Sequence, residues 1–249
     1  MPDKQFLKLK YRYIFKKRLN LKNPRTFNEK LQWLKLNDRQ EIYHRLVDKY
    51  EVKRIVADII GEEHVTPALD VFDSFDDIDF RRLPARFVLK CTHDSGGCFI
   101  CKDKTQFNAE ETKRKINRRL RTDFFTFGRE WPYKGIKRRI LVEEYLEDEP
   151  NKELKDYKVY CFNGVAKIIQ LDCNRFTKYR KNLYDLNWNL LPVIYNRPRN
   201  IDEHFAKPDQ LGEMLQYAEV LSRGIPFVRC DFYIVNNVVL FGEMTFYPM

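Results

Sequence analysis

The amino-acid order predicts an α+β fold of two lobes. Three observations predict it. Helical periodicity dominates the first 60 residues and recurs at 108–120 and 208–223. Short apolar runs bounded by turn residues occur at 87–91, 98–102, 139–145, 158–172 and 227–246. The two kinds of segment are interleaved instead of being segregated into separate halves. The expected divisions are a basic helical extension over residues 1–45, a first lobe over 46–144 and a second lobe over 145–249.

Taken in order, residues 4–19 read as a basic amphipathic helix. A second helix starts at Asn23-Pro24 or Thr26 and carries Phe27, Leu31 and Leu34. A third runs from Glu41 through Asp48-Lys49 to Ile60, where Gly61 ends it. Residues 65–72 read as extended and 74–83 as an acidic loop. The buried strand 87–91 leads through Ser95-Gly96-Gly97 into the strand 98–102, and a cationic helix follows over 108–120. A strand over 139–145 and a charged linker over 147–155 precede a hairpin that turns at Asn163-Gly164. Residues 173–190 mix aromatic and basic groups without a clear period. A helix over 208–223 and a hairpin at Asn236-Asn237 close the chain.

Composition limits the class. At 249 residues the chain suffices for one large or two small domains, and 43% hydrophobic residues supply a globular core. No apolar run approaches the ~20 residues of a membrane span, and no signal-peptide core is present. Six cysteines scattered in apolar segments read as reduced, buried thiols of a cytoplasmic protein. Lys and Arg outnumber Asp and Glu by 46 to 36, which favours anionic partners without choosing among them. The excess is concentrated: residues 4–22 hold eight cations and no acid, and a second cluster spans 113–121.

The most specific local signal is the closing pair Arg229-Cys230-Asp231 and Glu243-Met244-Thr245. Both acids lie in otherwise apolar strands, where a carboxylate requires a cation or hydrogen-bond donors. Two acids beside an arginine suit a magnesium–phosphate site. Register is the test of that reading. An unbroken two-residue turn sets Asp231 opposite Gly242, with Glu243 on the other face. An odd-length loop, or an equivalent bulge, pairs Asp231 with Glu243 and Arg229 with Thr245. The odd-length loop or bulge is expected.

Other signals are weaker. Lys90 ends a strand before Ser95-Gly96-Gly97, an arrangement that converges backbone N–H groups and a point charge on phosphate; a plain Gly-Gly turn is the competing reading. Glu143-Glu144-Tyr145-Leu146 ends a strand at the lobe junction, suited to a nucleotide base or merely solvated. Cys98 and Cys101 match C-x-x-C, yet in a strand they point to opposite faces, with no second pair to complete a metal site. Lys158, Arg175 and Lys178 offer cations to an anionic substrate, with a solvated basic face as the equal alternative. No nucleic-acid fold signature accompanies the basic groups, so no nucleic acid is expected.

In order along the chain these elements resemble the ATP-grasp superfamily. They are most similar to its TupA-like branch, named for a teichuronopeptide biosynthesis protein, whose members are often labelled glycosyltransferases. The resemblance is carried by residues 26–33, Asp48-Lys49-Tyr50, 87–104, 156–164 and 229–248. It implies an ATP-grasp fold in which two α+β lobes enclose ATP, with an N-terminal helical extension. It further implies that Lys49 and Lys90 contact phosphates and that Ser95, Gly96 and Gly97 cover them as a mobile flap. Glu143, Glu144, Tyr145 and Leu146 would hold adenine, with an acid among Glu147 to Glu149 near the ribose. Asp231 and Glu243 would ligate Mg2+ with Thr245 at the third position, where many members carry Asn, and Arg229 would neutralise the transferring phosphate. The chain stops at Pro248-Met249, where relatives usually continue with a Gly/Ser-containing segment, which implies a truncated or degenerate copy.

The activity so implied is an ATP- and Mg-dependent ligase. It would join an amino acid or other amine to a carboxylate of a cell-surface polysaccharide precursor through an acyl phosphate. The expected partners are an anionic saccharide, or a uronate- or glutamate-containing acceptor, and an amine donor. The expected location is cytoplasmic, with the N-terminal basic helix either resting on the inner membrane leaflet or packed in the core. A sugar-directed phosphotransferase on the same scaffold and a non-catalytic polyanion-binding protein are the alternatives.

Overall fold

The computed structural model describes residues 1–147, 154–173, 178–194, 197–200 and 203–248. Four helices come first: α1 (Asp3–Phe15), α2 (Phe27–Asn37), α3 (Ile42–Val47) and α4 (Glu51–Ile60). Then follow β1 (Ala68–Phe72), β2 (Phe87–Cys91), β3 (Cys98–Cys101), α5 (Ala109–Leu120), α6 (Phe125–Gly128) and β4 (Ile140–Glu144). The last part comprises β5 (Asp156–Phe162), β6 (Val165–Cys173), β7 (Arg180–Tyr184), α7 (Leu211–Leu221), β8 (Phe227–Val235) and β9 (Val238–Thr245). Among the described residues no helix is long and apolar enough to cross a membrane.

Side-chain caps set the starts of α2, α4 and α5. Thr26 and Glu29 form a reciprocal capping box at α2, and the Asn108 carboxamide accepts from Glu111 N at 2.9 Å to open α5. Two expectations are corrected here. The first helix ends at Phe15 because Lys16 adopts a left-handed conformation (φ 55°) and bonds back to Arg12 O. The helix expected over residues 41–60 is broken in two. Asp48 is extended, and its Oδ1 accepts from the N–H groups of Tyr50 and Glu51, so the residue caps α4 instead of continuing α3.

The chain divides into two compact units, Met1–Glu51 with Leu69–Val142 and Val52–Ala68 with Glu143–Met249. The first unit contains a four-stranded sheet ordered β1-β4-β2-β3, with β2 and β3 antiparallel. Phe87, Leu89, Cys91, Ile140 and Val142 from its strands pack with Ile116 of α5 in one core. Helices α1 to α3 are integral to this unit. Buried Lys35 donates to Gly128 O and Glu130, and Asp3 pairs with Arg39.

The second unit is built on a five-stranded antiparallel sheet ordered β7-β6-β5-β8-β9. Residues 52–68, expected in the first lobe, pack with this unit: Val65 bridges Phe241, and His64 Nδ1 lies 2.9 Å from Val239 O. One face of the sheet is apolar and meets α7, where Cys161 and Cys230 both approach Ala218 O. Both tight turns are two residues long with positive φ throughout, Asn163-Gly164 at 51° and 77° and Asn236-Asn237 at 50° and 64°. That left-handed pair matches the twist of a hairpin, and Asn and Gly tolerate it best.

Candidate functional site

The other face of the five-stranded sheet is polar although most of it is buried. Asp156, Lys158 and Tyr160 alternate along β5 and share this face. Across the ladders Lys158 pairs with Gln170 on β6 and with Asp231 on β8, and Asp231 pairs in turn with Glu243 on β9. Beside that row run Tyr160, Arg229 and Thr245, and on the other side Asp156, Asp172 and Lys181. The closing hairpin thus has the register that brings Asp231 and Glu243 together. It reaches it with a two-residue turn and a bulge between Asp231 and Phe232, at which Gly242 is the extra residue.

Charge pairing organises this face. Arg229 donates from Nε to Asp231 Oδ1 and from Nη2 to Oδ2, each at 2.6 Å, the bidentate fork of guanidinium on carboxylate. Lys158 Nζ donates to Asp231 Oδ2 at 2.6 Å and to Asp156 Oδ2 at 2.5 Å, with Asp172 at 3.8 Å. Burial would raise the Asp231 carboxyl pKa, but Arg229 and then Lys158 hold it below the usual carboxylate range. Burial would likewise discharge Lys158, yet Asp156 and Asp231 keep its ammonium above the ordinary lysine value. Further bonds lock the periphery: Tyr160 donates to Gln170, Gln170 to Asp172, and Tyr179 to Asp172.

Glu243 differs from its partner. Asp231 is 1% exposed, whereas the Glu243 side chain is 40% exposed. Thr245 Oγ1 donates to Glu243 Oε1 at 3.3 Å and accepts from Arg229 Nη2 at 3.1 Å. Glu243 and the Thr245 hydroxyl therefore present oxygen ligands at an accessible edge, while both Asp231 oxygens already accept bonds. Among the described residues no group of three or more His, Cys, Asp or Glu is arranged to hold a metal ion. Mg2+ rarely needs such a cage, since it is commonly held by one or two carboxylates together with substrate phosphates and water. The donor set fits one hard cation of that kind.

In the first unit, Lys49 and the Gly-containing loop come together. Lys49 N bonds to Thr92 O, and its ammonium donates to Asp94 O. Lys90 lies directly across from Cys98 at the base of the same loop. Ser95 and Gly96 are exposed at its tip, and Gly96 has a positive φ of 82°. Gly97 lies over the Asp94 carboxylate, so any side chain there would collide with it. That carboxylate also pairs with Arg119 at 2.6 Å. A cleft of about 390 Å³ beside the loop is lined by Asp94, Gly96, Lys115, Arg118 and Arg119 together with aromatic rings.

The remaining candidates are placed as follows. Glu143 is buried and pairs with Lys53 at 2.5 Å; Glu144 is exposed, and Tyr145, Leu146 and Glu147 are half-buried. Asp148, Glu149 and Arg175 lie outside the described residues, and Lys178 is exposed. Lys158, expected to meet an anionic substrate, has its ammonium engaged by carboxylates of the protein itself. Sequence reasoning missed Asp156, Asp172, Lys53 and Arg139. Arg139 bonds both Asp48 and Glu51 and so anchors the segment that carries Lys49. The available signal for the β5 group was polar alternation at 156, 158 and 160 inside an apolar strand.

A family model described as TupA-like ATPgrasp matches residues 29–249. Among solved structures, a D-alanine–D-alanine ligase from Bacillus anthracis complexed with ATP is similar at 13% identity and TM-score 0.47, over 82% of this chain and 54% of its own. The ATP-grasp ligase PsnB, complexed with a phosphomimetic variant of its minimal precursor, Mg and ADP, is similar at 9% identity and TM-score 0.48, over 83% of this chain and 52% of its own. The D-cycloserine synthetase DcsG is similar at 16% identity and TM-score 0.44, over 84% and 64%. The chain spans a little over half the length of the first two. No curated protein sequence matches it.

Proposed function

The chain belongs to the TupA-like ATP-grasp family, and from that premise we propose that it is an ATP- and Mg2+-dependent ligase joining an amine to a carboxylate. The observation that carries this reading is the accessible edge at Glu243 and Thr245, set beside Arg229. Glu243, Thr245 and one remaining lone pair of Asp231 would hold Mg2+. The Arg229 guanidinium, 3.5 Å from Glu243, would spread negative charge on a transferring phosphate. Its fork on Asp231 fixes its plane in advance, which limits reorganisation during the reaction. Lys49 and Lys90 would bind phosphates, with Ser95, Gly96 and Gly97 shielding them from water. Bound Mg-ATP would supply the phosphoryl group that activates a carboxylate as an acyl phosphate; attack of the amine on its carbonyl carbon would form the amide and release phosphate.

The carboxylate proposed belongs to an anionic cell-surface saccharide precursor, and the amine to an amino acid. The net charge of +10 and the cleft at Lys115, Arg118 and Arg119 support an anionic acceptor. The cytoplasmic face of the membrane is the proposed place of work. Exposed Lys4, Lys8 and Arg12 on α1, flanked by exposed Leu9 and Tyr13, support contact with an anionic leaflet.

Thermal unfolding with Mg-ATP tests the reading. A rise in melting temperature in the wild type that is lost in Lys90→Ala and Glu243→Gln is the expected result. No shift in the wild type would sink it. ADP release that requires both a carboxylate and an amine marks a ligase; release with a sugar hydroxyl and no amine marks a phosphotransferase.

A further inference from the structure

The cleft beside the Gly-containing loop is built on the face of its sheet that Lys90 does not share. Leu89 and Phe99 are paired across β2 and β3, and both pack with the core that holds Ile116 of α5. Lys90, the next residue on β2, is on the opposite face by strand alternation. Phe99 and the last turns of α5 form walls of the cleft, and neither Lys49 nor Lys90 lines it. At about 390 Å³ it is the size of a small-ligand pocket. Its lining combines two chemistries. Lys115, Arg118 and Arg119 recur at the three- and four-residue spacing of one helix face. Phe124 and Phe127, with ring centroids 6.0 Å apart, supply aromatic faces, and Phe127 is 57% exposed. Arg119 already holds a carboxylate, that of Asp94, at 2.6 Å, and Lys115 is paired with Glu111. Arg118 is exposed and makes no ion pair among the described residues.

We propose that this cleft binds a carboxylate-bearing sugar unit, with Arg118 taking the carboxylate and Phe127 stacking on the ring. The guanidinium fork matches a carboxylate in shape and charge. A pyranose ring turns a flat C–H face to the negative face of an aromatic ring and leaves its hydroxyls at the rim. A bare phosphate or an acidic peptide would engage the cations and leave the rings unused. The inference rests on the ligase reading given above for the source of that sugar, which is the acceptor. Because the cleft is on the face away from Lys90, the unit held there is not the one that meets the nucleotide phosphates. The acceptor is on this account an oligomer or polymer, gripped at one unit while another is joined to the amine.

Calorimetric titration with trigalacturonate, without nucleotide, tests the site. The wild type should bind it, Arg118→Ser should weaken binding at least about tenfold, and Phe127→Ser about 3- to 10-fold. Both side chains are exposed, so both variants should melt as the wild type does. Uncharged maltotriose should not bind, and triglutamate, which has carboxylates but no sugar ring, should bind about 3- to 10-fold more weakly than trigalacturonate. No binding, undiminished affinity in both variants, or triglutamate binding as tight as trigalacturonate would overturn the proposal. Competitive displacement of trigalacturonate by Mg-ATP would overturn it too, since the two would then share the phosphate-binding lysines. A wild type that binds trigalacturonate through Arg118 and Phe127, yet shows no melting shift with Mg-ATP, would overturn the ligase reading instead, so the two failures are distinct.

Discussion

Asp231 faces Glu243 across β8 and β9 although the turn between them, counted alone, would set Asp231 against Gly242. From Val235 and Val238 the ladder runs in even register to Phe232 and Phe241, and then slips by one residue. Gly242 occupies the slip because its Cα is crowded. A Cβ there would come within 2.9 Å of the Tyr233 ring and 3.2 Å of Asp231 O. Two acids that local spacing would separate therefore share a face.

Substituting that glycine should be costly. Gly242→Ala is expected to destabilise the protein by about 1–3 kcal/mol through overpacking against Tyr233 and the β8 backbone. Urea titration reads this as a lower midpoint at unchanged slope. A midpoint equal to that of the wild type would show that the bulge absorbs a methyl group freely.

The two paired acids should respond differently to neutralisation. Asp231→Asn leaves Arg229 and Lys158 without their shared buried partner, and a loss of about 3–5 kcal/mol is expected. Glu243→Gln at the exposed edge should change stability by less than about 1 kcal/mol and instead remove the response to Mg-ATP. Equal stability losses in the two variants would contradict the contrast between a buried, doubly paired Asp231 and an exposed Glu243.

The Lys158–Asp231 pairing predicts a broad pH plateau. Asp231 has a folded-state pKa below its unfolded value of about 3.9, so its contribution is full above that value and disappears as pH falls through the folded pKa. Lys158 is raised above the usual value of about 10.4, so its contribution is full below that and disappears only as pH rises through its folded pKa. Chemical denaturation across pH should therefore show an acid limb that Asp231→Asn flattens. An acid limb unchanged in that variant would assign it to other carboxylates.

A second buried pair gives an independent check on packing at the end of β4. Glu143 is 3% exposed, and Lys53 Nζ contacts it while also donating to Thr66 O at 2.6 Å. Lys53→Met should cost about 3–5 kcal/mol by stranding the carboxylate, and adding Glu143→Gln should recover much of it. A double-mutant cycle with no coupling energy would refute the pairing.

Lys49→Met and Lys90→Met should each weaken ATP binding by about 10- to 100-fold, the range for one charge-assisted bond to phosphate, with small effects on melting temperature. Calorimetric titration with ATP measures this. Undiminished affinity in both would detach the Gly-containing loop from nucleotide binding.

Local features of the fold were legible from neighbouring residues. Thr26 and Asn108 open helices, Asn163-Gly164 and Asn236-Asn237 close hairpins, and β2 spans the residues its apolar run indicates. The parity argument required an odd-length loop or an equivalent bulge to pair Asp231 with Glu243, and the bulge supplies it. The break at Asp48 was not legible, because helical periodicity runs straight through it. What interrupts the helix is a carboxylate that bonds two N–H groups ahead and an arginine from β4's approach that holds it there.

Residue order by itself determined most of the strands, the two Asn-led turns and the parity of the closing hairpin, because caps, alternation and left-handed turn residues act over a few positions. Only the tertiary structure decided which charges stay in contact with water and which are paired beneath the surface. Lys158 reads as one more basic residue until β6 and β8 bring Asp172 and Asp231 alongside Asp156. The reason is electrostatic: the free energy of an ion depends on every charge and dipole within a few ångströms, and those neighbours come from strands far apart in sequence.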